Sequence, residues 1–398
     1  MKKLPDGWDF IQLNKIADII RGVSYDGSDS EKEDGEGYAS ILRAGNIGSS
    51  INYDDLVYVP ERYVSQEQYL KVGDVLIATS SGSKHIVGKA AQIKNDKKIS
   101  FGAFCCVIRP KMVDPEYLNS YFQSKHYKSF VQRTLRGANI NNLRISQIRE
   151  LEIPLPPLHL QKKIAAVLGK AEKLREWRNE ADGLTDRFLK STFLEMFGDP
   201  VGNPKGWEYK KLMELGNWQS GGTPSRSNGD YFKGDIPWYT AGELNSLFVY
   251  GSIEKITQDA IKESSAKLIS PNNLLLGMYD TAALKSSITT VECACNQAIV
   301  FSKLEYGLAN IFYLFYVIHV ARKHYMRQQR GVRQKNLNLS MIRNLEVPVP
   351  SIELQNKFAY IVQQVEQIRE HQTQSRQHIE NFFYALMQKA FSGELEAK

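Results

Sequence analysis

The chain carries a near-copy of itself. Residues 136–165 read RGANINNLRISQIRELEIPLPPLHLQKKIA, and residues 330–359 read RGVRQKNLNLSMIRNLEVPVPSIELQNKFA. Arg136/Arg330, Gly137/Gly331, Asn142/Asn336, Ser146/Ser340, Arg149/Arg343, Pro154/Pro348, Pro156/Pro350 and Gln161/Gln355 all match at one offset of 194 positions. Fainter echoes extend the repeat: Gly7-Trp8 with Leu13 recurs as Gly206-Trp207 with Leu212, and Ala44-Gly45 recurs as Ala241-Gly242. The offset is about half of the 398 residues, so one unit is written twice. Between the echoes the copies diverge: GDVLIATSSGSKHIVGKAAQI (73–93) stands where the second copy has NNLLLGMYDTAALKSSITTV (272–291). A shared frame with different presented surfaces suits a two-sited reader of an asymmetric target.

Each copy divides into a globular part and a helix. The globular parts, 1–153 and 197–347, hold short β-rich runs such as DVLIATS, FCCVIRP, LLLGM and AIVFS, punctuated by Gly, Asn, Asp and Pro. A helical stretch follows in each, and then LEIPLPP or LEVPVPS, where proline ends pairing and sets a turn. The fold class expected is α+β. Beyond the prolines, in 154–196 and 348–398, the apolar period becomes helical. Leu160, Ile164, Val167, Ala171, Leu174, Arg178, Ala181, Thr185 and Phe188 step by fours and threes, as do Leu354, Phe358, Ile361, Val365, Ile368, Gln372, Ser375, Ile379, Phe382 and Leu386. Such helices are roughly 50–60 Å long at 1.5 Å per residue and cannot be buried inside one globular part. The first carries the chain from one globular unit to the other and the second starts where the first ends, so packing them together requires an antiparallel coiled coil. Two α/β domains separated by that pair, with pseudo-two-fold symmetry, is the architecture expected.

Several function classes are excluded. The longest apolar run, 311–321, is about half of what a bilayer crossing needs and contains His319, so no membrane span is expected. After Met1-Lys2-Lys3 come Pro5, Asp6 and Gly7 rather than an apolar signal core, which points to the cytoplasm. Cys105 with Cys106 and Cys293 with Cys295 lack zinc-ligand spacing and lie in β-like runs, so they read as buried small residues. Gly82–Ala90 has one residue too many for a P-loop and Ala in place of Ser or Thr. No D/N-P-P-[FY] tetrad occurs, since Asp199-Pro200-Val201 and Asn203-Pro204-Lys205 lack its second half. No catalytic residue and no metal site is expected in this chain. Lys plus Arg number 51 against 44 acids, a net charge of +7 that is compatible with a polyanion partner.

A variable domain, a P-L-P-P-L-x-x-Q helix, a second variable domain and a second such helix resemble the specificity subunit (S, HsdS) of Type I restriction-modification systems. Pro154, Pro156, Pro157, Leu158 and Gln161 carry the motif, with Pro348, Pro350, Ile352 and Gln355 in the second copy. The openings at Gly7, Trp8 and Leu13 and at Gly206, Trp207 and Leu212, with G-G-T-P-S at 221–225, look like that family's target-recognition domains. Unit one has Gly22-Val23-Ser24 where unit two has G-G-T-P-S, and its GDVLI becomes NNLLL. The resemblance covers the whole chain. It implies that 1–153 and 197–347 each read one half of a bipartite double-stranded DNA sequence. The helices would set the spacer and dock two methyltransferase (M) subunits, joined by restriction-translocase (R) subunits. It further implies no cofactor here, with S-adenosylmethionine, ATP and Mg used by the partner subunits. A coiled-coil adaptor with two protein-binding domains is the rival reading.

Cations on phosphates would supply affinity, and side chains on base edges would supply sequence. Basic clusters recur at one address: Lys125, His126, Lys128, Arg133 and Arg136 before Gly137, and Arg322, Lys323, His324, Arg327, Arg330, Arg333 and Lys335 around Gly331. Asn139 and Asn141, with Arg333 and Gln334, differ between the copies and are the better base readers there. A second candidate surface is the divergent loop: Thr79, Ser80, Ser81, Ser83, Lys84 and His85 in one copy, and Tyr279, Asp280, Thr281 and Lys285 in the other. A third flanks the shared Ala-Gly: Arg43 and Asn46, and Tyr239, Thr240 and Glu243.

Overall fold

A computed structural model describes residues 4–136, 142–305, 307–328 and 336–395. The chain forms two compact units, 1–179 with 374–398 and 180–373, so the division falls within the two long helices.

Unit 1 opens with β1 (Asp9–Gln12), α1 (Leu13–Ile16) and β2 (Ala17–Arg21). β3 (Tyr38–Leu42), β4 (Val57–Pro60), β5 (Val75–Ala78), β6 (Ala90–Gln92), β7 (Ile99–Phe101) and β8 (Cys105–Pro110) follow. Helices α2 (Pro115–Gln123), α3 (Lys125–Arg136) and α4 (Ile145–Arg149) lead to β9 (Glu152–Leu155) and the long helix α5 (Leu158–Phe197). Its sheets are β2-β8-β5-β6, β4-β3-β7 and the pair β1-β9. The helical stretch after β8 is broken at Ser124, which is extended there and caps both sides: its N–H donates to Tyr121 O and its hydroxyl accepts from Tyr127 N.

Unit 2 repeats the plan. It runs through β10 (Glu208–Lys211), α6 (Leu212–Leu215), β11 (Gln219–Ser220), β12 (Ile236–Tyr239), β13 (Phe248–Val249), β14 (Glu254–Ile256), α7 (Gln258–Glu263), β15 (Leu274–Gly277), β16 (Ser286–Thr289), β17 (Ala294–Cys295) and β18 (Ile299–Ser302). Then come α8 (Ile311–Tyr325), α9 (Leu339–Arg343), β19 (Glu346–Val349) and the long helix α10 (Ile352–Ser392). The sheets are β11-β18-β15-β16-β13, β14-β12-β17 and β10-β19. The register repeats as well: Phe10 faces Pro154 and Tyr209 faces Pro348. In G-G-T-P-S the glycines are a packing requirement, because a Cβ on Gly221 would lie 2.3 Å from Cys295 O and one on Gly222 2.1 Å from Ser265 O. Gly22 of unit 1 fills the same role, 2.1 Å from Gly102 O. All four cysteines are buried, and burial pushes the Cys105 and Cys293 thiols up to about 12, so they remain neutral packing groups.

The duplicated Pro-x-x-x-x-Gln motif, Pro156 to Gln161 and Pro350 to Gln355, is a clamp. Proline has no N–H, and the carbonyls of β9 and β19 on the side away from their partner strands need donors. In unit 1 the buried Gln161 amide accepts from Asp114 N, the N-cap of α2, at 2.8 Å and donates to Pro156 O at 2.7 Å. Tyr117 on α2 adds a 2.6 Å bond to Pro154 O. In unit 2 Gln355 accepts from Asn310 N, the N-cap of α8, at 2.8 Å and donates to Pro350 O at 2.8 Å, while Tyr313 reaches Pro348 O at 2.6 Å. One residue type thus fixes head helix, strand and long helix together in each copy.

Each unit holds one end of α5 against the opposite end of α10, as connectivity requires of an antiparallel pair. In unit 1 Ile164, Leu168 and Ala171 share a core with Phe383, Met387 and Phe391; in unit 2 Leu189, Phe193 and Phe197 share one with Phe358, Val362 and Val365. A repeated charged fork sets register: Arg175 joins Glu172 and Glu380, each at 2.8 Å, and Arg369 joins Glu366 and Asp186. The expected seam is right in one column and one residue off in the other. Ile164, Ala171, Phe358 and Val365 are buried, but Leu168, Leu189, Val362 and Phe383 replace Val167, Phe188, Ile361 and Phe382. At these positions both neighbours are apolar, and Arg175 and Arg369 in the shifted column make it read as the more polar of the two, although both are held in ion pairs.

Candidate nucleic-acid interface

In unit 1 the divergent loop is held at its neck. β5 is buried along its length; at its last residue Ala78 N donates to Lys89 O at 2.9 Å and Gly88 N returns to Ala78 O at 2.8 Å. Gly88 has φ +84°, and a Cβ there would meet Val131 at 2.5 Å, so only glycine closes this neck. Thr79 N and Ser80 N both donate to Phe104 O, at 2.8 and 3.1 Å. Leu143 N donates to Thr79 O at 2.8 Å, and Ser80 pairs with Asn142. Unit 2 is built the same way: Met278 N reaches Ala298 O and Leu337 N reaches Met278 O, each at 2.8 Å, and Tyr279 pairs with Asn336. Two surfaces that are distant in sequence, the divergent loop and the segment after the basic helix, therefore meet at one rim in each unit.

The third surface joins that rim in unit 1. Arg43, Ala44, Gly45, Asn46, Asp55, Ser80, Ser81, Gly82 and Phe104 border one cleft of about 460 Å³. Arg43 is half exposed, its guanidinium donating to the Asp55 carboxylate at 2.7 Å and to Asp55 O at 2.9 Å. Such an open pair is exchangeable for a base edge or a phosphate at little cost. Ser83, Lys84 and His85 are exposed at the loop tip, with Ser80 and Ser81 half buried at its base. Arg133 and Arg136 lie on the solvent face of α3, opposite the buried Tyr127, Val131 and Leu135. In unit 2 Tyr279, Thr281 and Arg327 are exposed, and Lys285 donates to Asn245 Oδ1 at 2.7 Å. Arg322 is a strut rather than a contact: its guanidinium donates to Ala283 O and Thr281 O, supporting the loop from behind, and burial lowers its pKa.

Several expected contacts are corrected. Thr79 is only 6% exposed and holds the neck through its backbone, donating to Phe104 O and accepting from Leu143 N. Asn46 is only 6% exposed; its amide accepts from Arg43 N and donates to Asn52 O and Asp54 O, so it builds the turn that carries Arg43. Glu243 does the same for Thr240, accepting from both its N–H and its hydroxyl, which leaves Thr240 a capping role. Tyr239 is fully buried in β12 among Leu275, Cys293 and Ile299, and burial pushes its hydroxyl up to about 12. Lys128 is exposed, but its ammonium sits 5.6 Å from the centre of the Tyr384 ring, alongside the helix pair. Asn139, Asn141, Arg330, Arg333, Gln334 and Lys335 lie outside the described residues. Sequence reasoning missed Phe104 and Asp55. Phe104 sits inside the apolar run SFGAFCC, which reads as core, yet it is 67% exposed.

The model of the Type I restriction modification DNA specificity domain matches residues 5–180 and again 204–381. The chain belongs to that family. Along its whole length it is 26% identical to the StySPI specificity subunit of Salmonella potsdam, of which 91% is covered. Over 188 residues it is 36% identical to the EcoKI specificity subunit of Escherichia coli K12, covering 47% of this chain and 39% of that one. A chain solved in work on complex assembly and conformational transition of the type I R-M system shares the fold at a TM-score of 0.61 and 19% identity, covering 99% of this chain and 100% of that one. The Type I S subunit from M. genitalium does so at 0.55 and 14%, covering 98% and 97%. Each specificity domain of the present chain supplies one rim.

Proposed function

We propose that this chain is the DNA-recognition subunit of a Type I restriction-modification complex and performs no chemistry itself. Each specificity domain reads one half of a bipartite, asymmetric duplex sequence, and α5 with α10 sets the interval between the halves. The observation that carries this reading is the repeated rim. A shared backbone frame joins the divergent loop to the segment after a basic helix in both domains, while the exposed side chains differ. Backbone-positioning cations around variable readers are what a sequence-specific duplex interface requires.

The helix pair supports a partner. Leu174, Trp177 and Phe382 are exposed in unit 1, and Leu184, Phe188 and Ile368 in unit 2. Apolar side chains left outside the seam at helical spacing suit the apolar face of another helix. We assign them to the methyltransferase subunits, one on each unit, with restriction-translocase subunits joining afterwards. S-adenosylmethionine is then used by the methyltransferase, and ATP with Mg by the motor. Electrophoretic mobility shift with the chain, its methyltransferase partner and a library of duplexes tests the reading. Selective retention of duplexes sharing two constant blocks is expected, weakened steeply by salt; equal retention of all sequences would refute it.

A further inference from the structure

We propose that Phe104 is a specificity determinant of unit 1 that contacts the 5-methyl group of a thymine in the major groove. The proposal rests on the DNA-reading assignment above and names a residue and a base feature within it.

Phe104 stands on the same rim as Arg43, Ser80 and Ser81 and is 67% exposed, in a turn with the exposed Ala103 between the buried Gly102 and Cys105. Its backbone is pinned, because its carbonyl accepts from both Thr79 N and Ser80 N. Single exposed apolar side chains are common, so the exposure of Phe104 matters only because its backbone is fixed at the rim, where its ring gains from being covered. The equivalent position of unit 2 is Ala298, whose carbonyl accepts the corresponding Met278 N at 2.8 Å but whose side chain is buried. The scaffold is the same and only the presented group changes, which is the pattern of a residue that distinguishes the two half-sites. A phenyl ring offers no hydrogen bond. Among base edges of the major groove the apolar feature is the thymine methyl, whereas the hydroxyls and guanidinium beside Phe104 suit polar edges of neighbouring bases.

The test uses the chain with its methyltransferase partner and the target half that depends on residues 1–153. Replacing each thymine of that half by uracil removes only the methyl group. One position is expected to weaken binding by about fourfold, the value of one buried carbon. Phe104→Ala should weaken binding of the thymine duplex by roughly tenfold, as a mismatched base pair does, and should abolish the uracil effect at that position. Phe104→Leu should retain most of both, and thymines of the other half should respond alike in all three proteins. An unchanged thermal transition is the expected sign of an intact fold. Phe104→Ala that binds normally, or that still suffers the uracil penalty, overturns the proposal, as does a half-site without any uracil-sensitive position. A wild-type complex that discriminates no sequence would instead sink the DNA-reading assignment itself.

Discussion

Gln355→Leu tests the clamp that ties head to helix. The side chain is fully buried, accepts from Asn310 N at 2.8 Å and donates to Pro350 O at 2.8 Å. Leucine has similar volume but satisfies neither group, and both are held by the surrounding fold. An unsatisfied buried backbone group costs about 1–3 kcal/mol, so two predict a loss of about 2–6 kcal/mol. Urea unfolding followed by the fluorescence of Trp207, Trp218 and Trp238 in unit 2 reads the effect. The exposed neighbour Asn356, which accepts from Asn310 Nδ2, is the control: Asn356→Ala should change stability by under about 0.5 kcal/mol. Gln161→Leu should destabilise unit 1 by the same order, because the bonds to Asp114 N and Pro156 O are equivalent. If both leucine variants unfolded with the parent protein, the motif would not be a clamp and its duplication would need another cause.

Gly222→Ala should destabilise by about 1–3 kcal/mol or prevent folding, because its Cβ would lie 2.1 Å from Ser265 O, whereas Gly45→Ala, with nothing within 4 Å, should melt with the parent. Tyr239→Phe removes a buried hydroxyl that has no hydrogen-bond partner among the described residues; stability should hold or rise by about 1 kcal/mol with DNA affinity unchanged, and a lost half-site would restore Tyr239 as a reader. Changing exposed Arg133 and Arg136 to Ala should weaken binding to all sequences and shrink the slope of log affinity against log salt by about 0.9 for each phosphate no longer neutralised, as measured by titration at several salt concentrations.

Much of the frame was legible because duplication writes it twice. The matching prolines and glutamines marked the clamp's position, and the β-rich runs mark β5, β8, β15 and β18. What the clamp bonds was not legible, because its partners, Asp114 N and Asn310 N, are backbone groups without a sequence signal. The phase of one seam column was missed for a related reason: Val167 and Leu168, or Ile361 and Val362, are interchangeable in pattern and separated only by packing. At the rim, polarity misled in both directions. Asn46 is polar and buried because a turn needs its amide, and Phe104 is apolar and exposed because the turn before β8 directs it outward. The meeting of 79–80 with 142–143 depends on tertiary pairing that local pattern does not encode.

The central claim is that two interchangeable heads on one helical frame each read half of one DNA target. Residues 1–153 can be exchanged for the corresponding head of another specificity subunit, and the methylated adenines mapped in cells carrying the hybrid with its methyltransferase partner. One half of the recognised sequence should change while the other half and the interval between them stay as they were. A hybrid that alters both halves, or neither, would contradict the account.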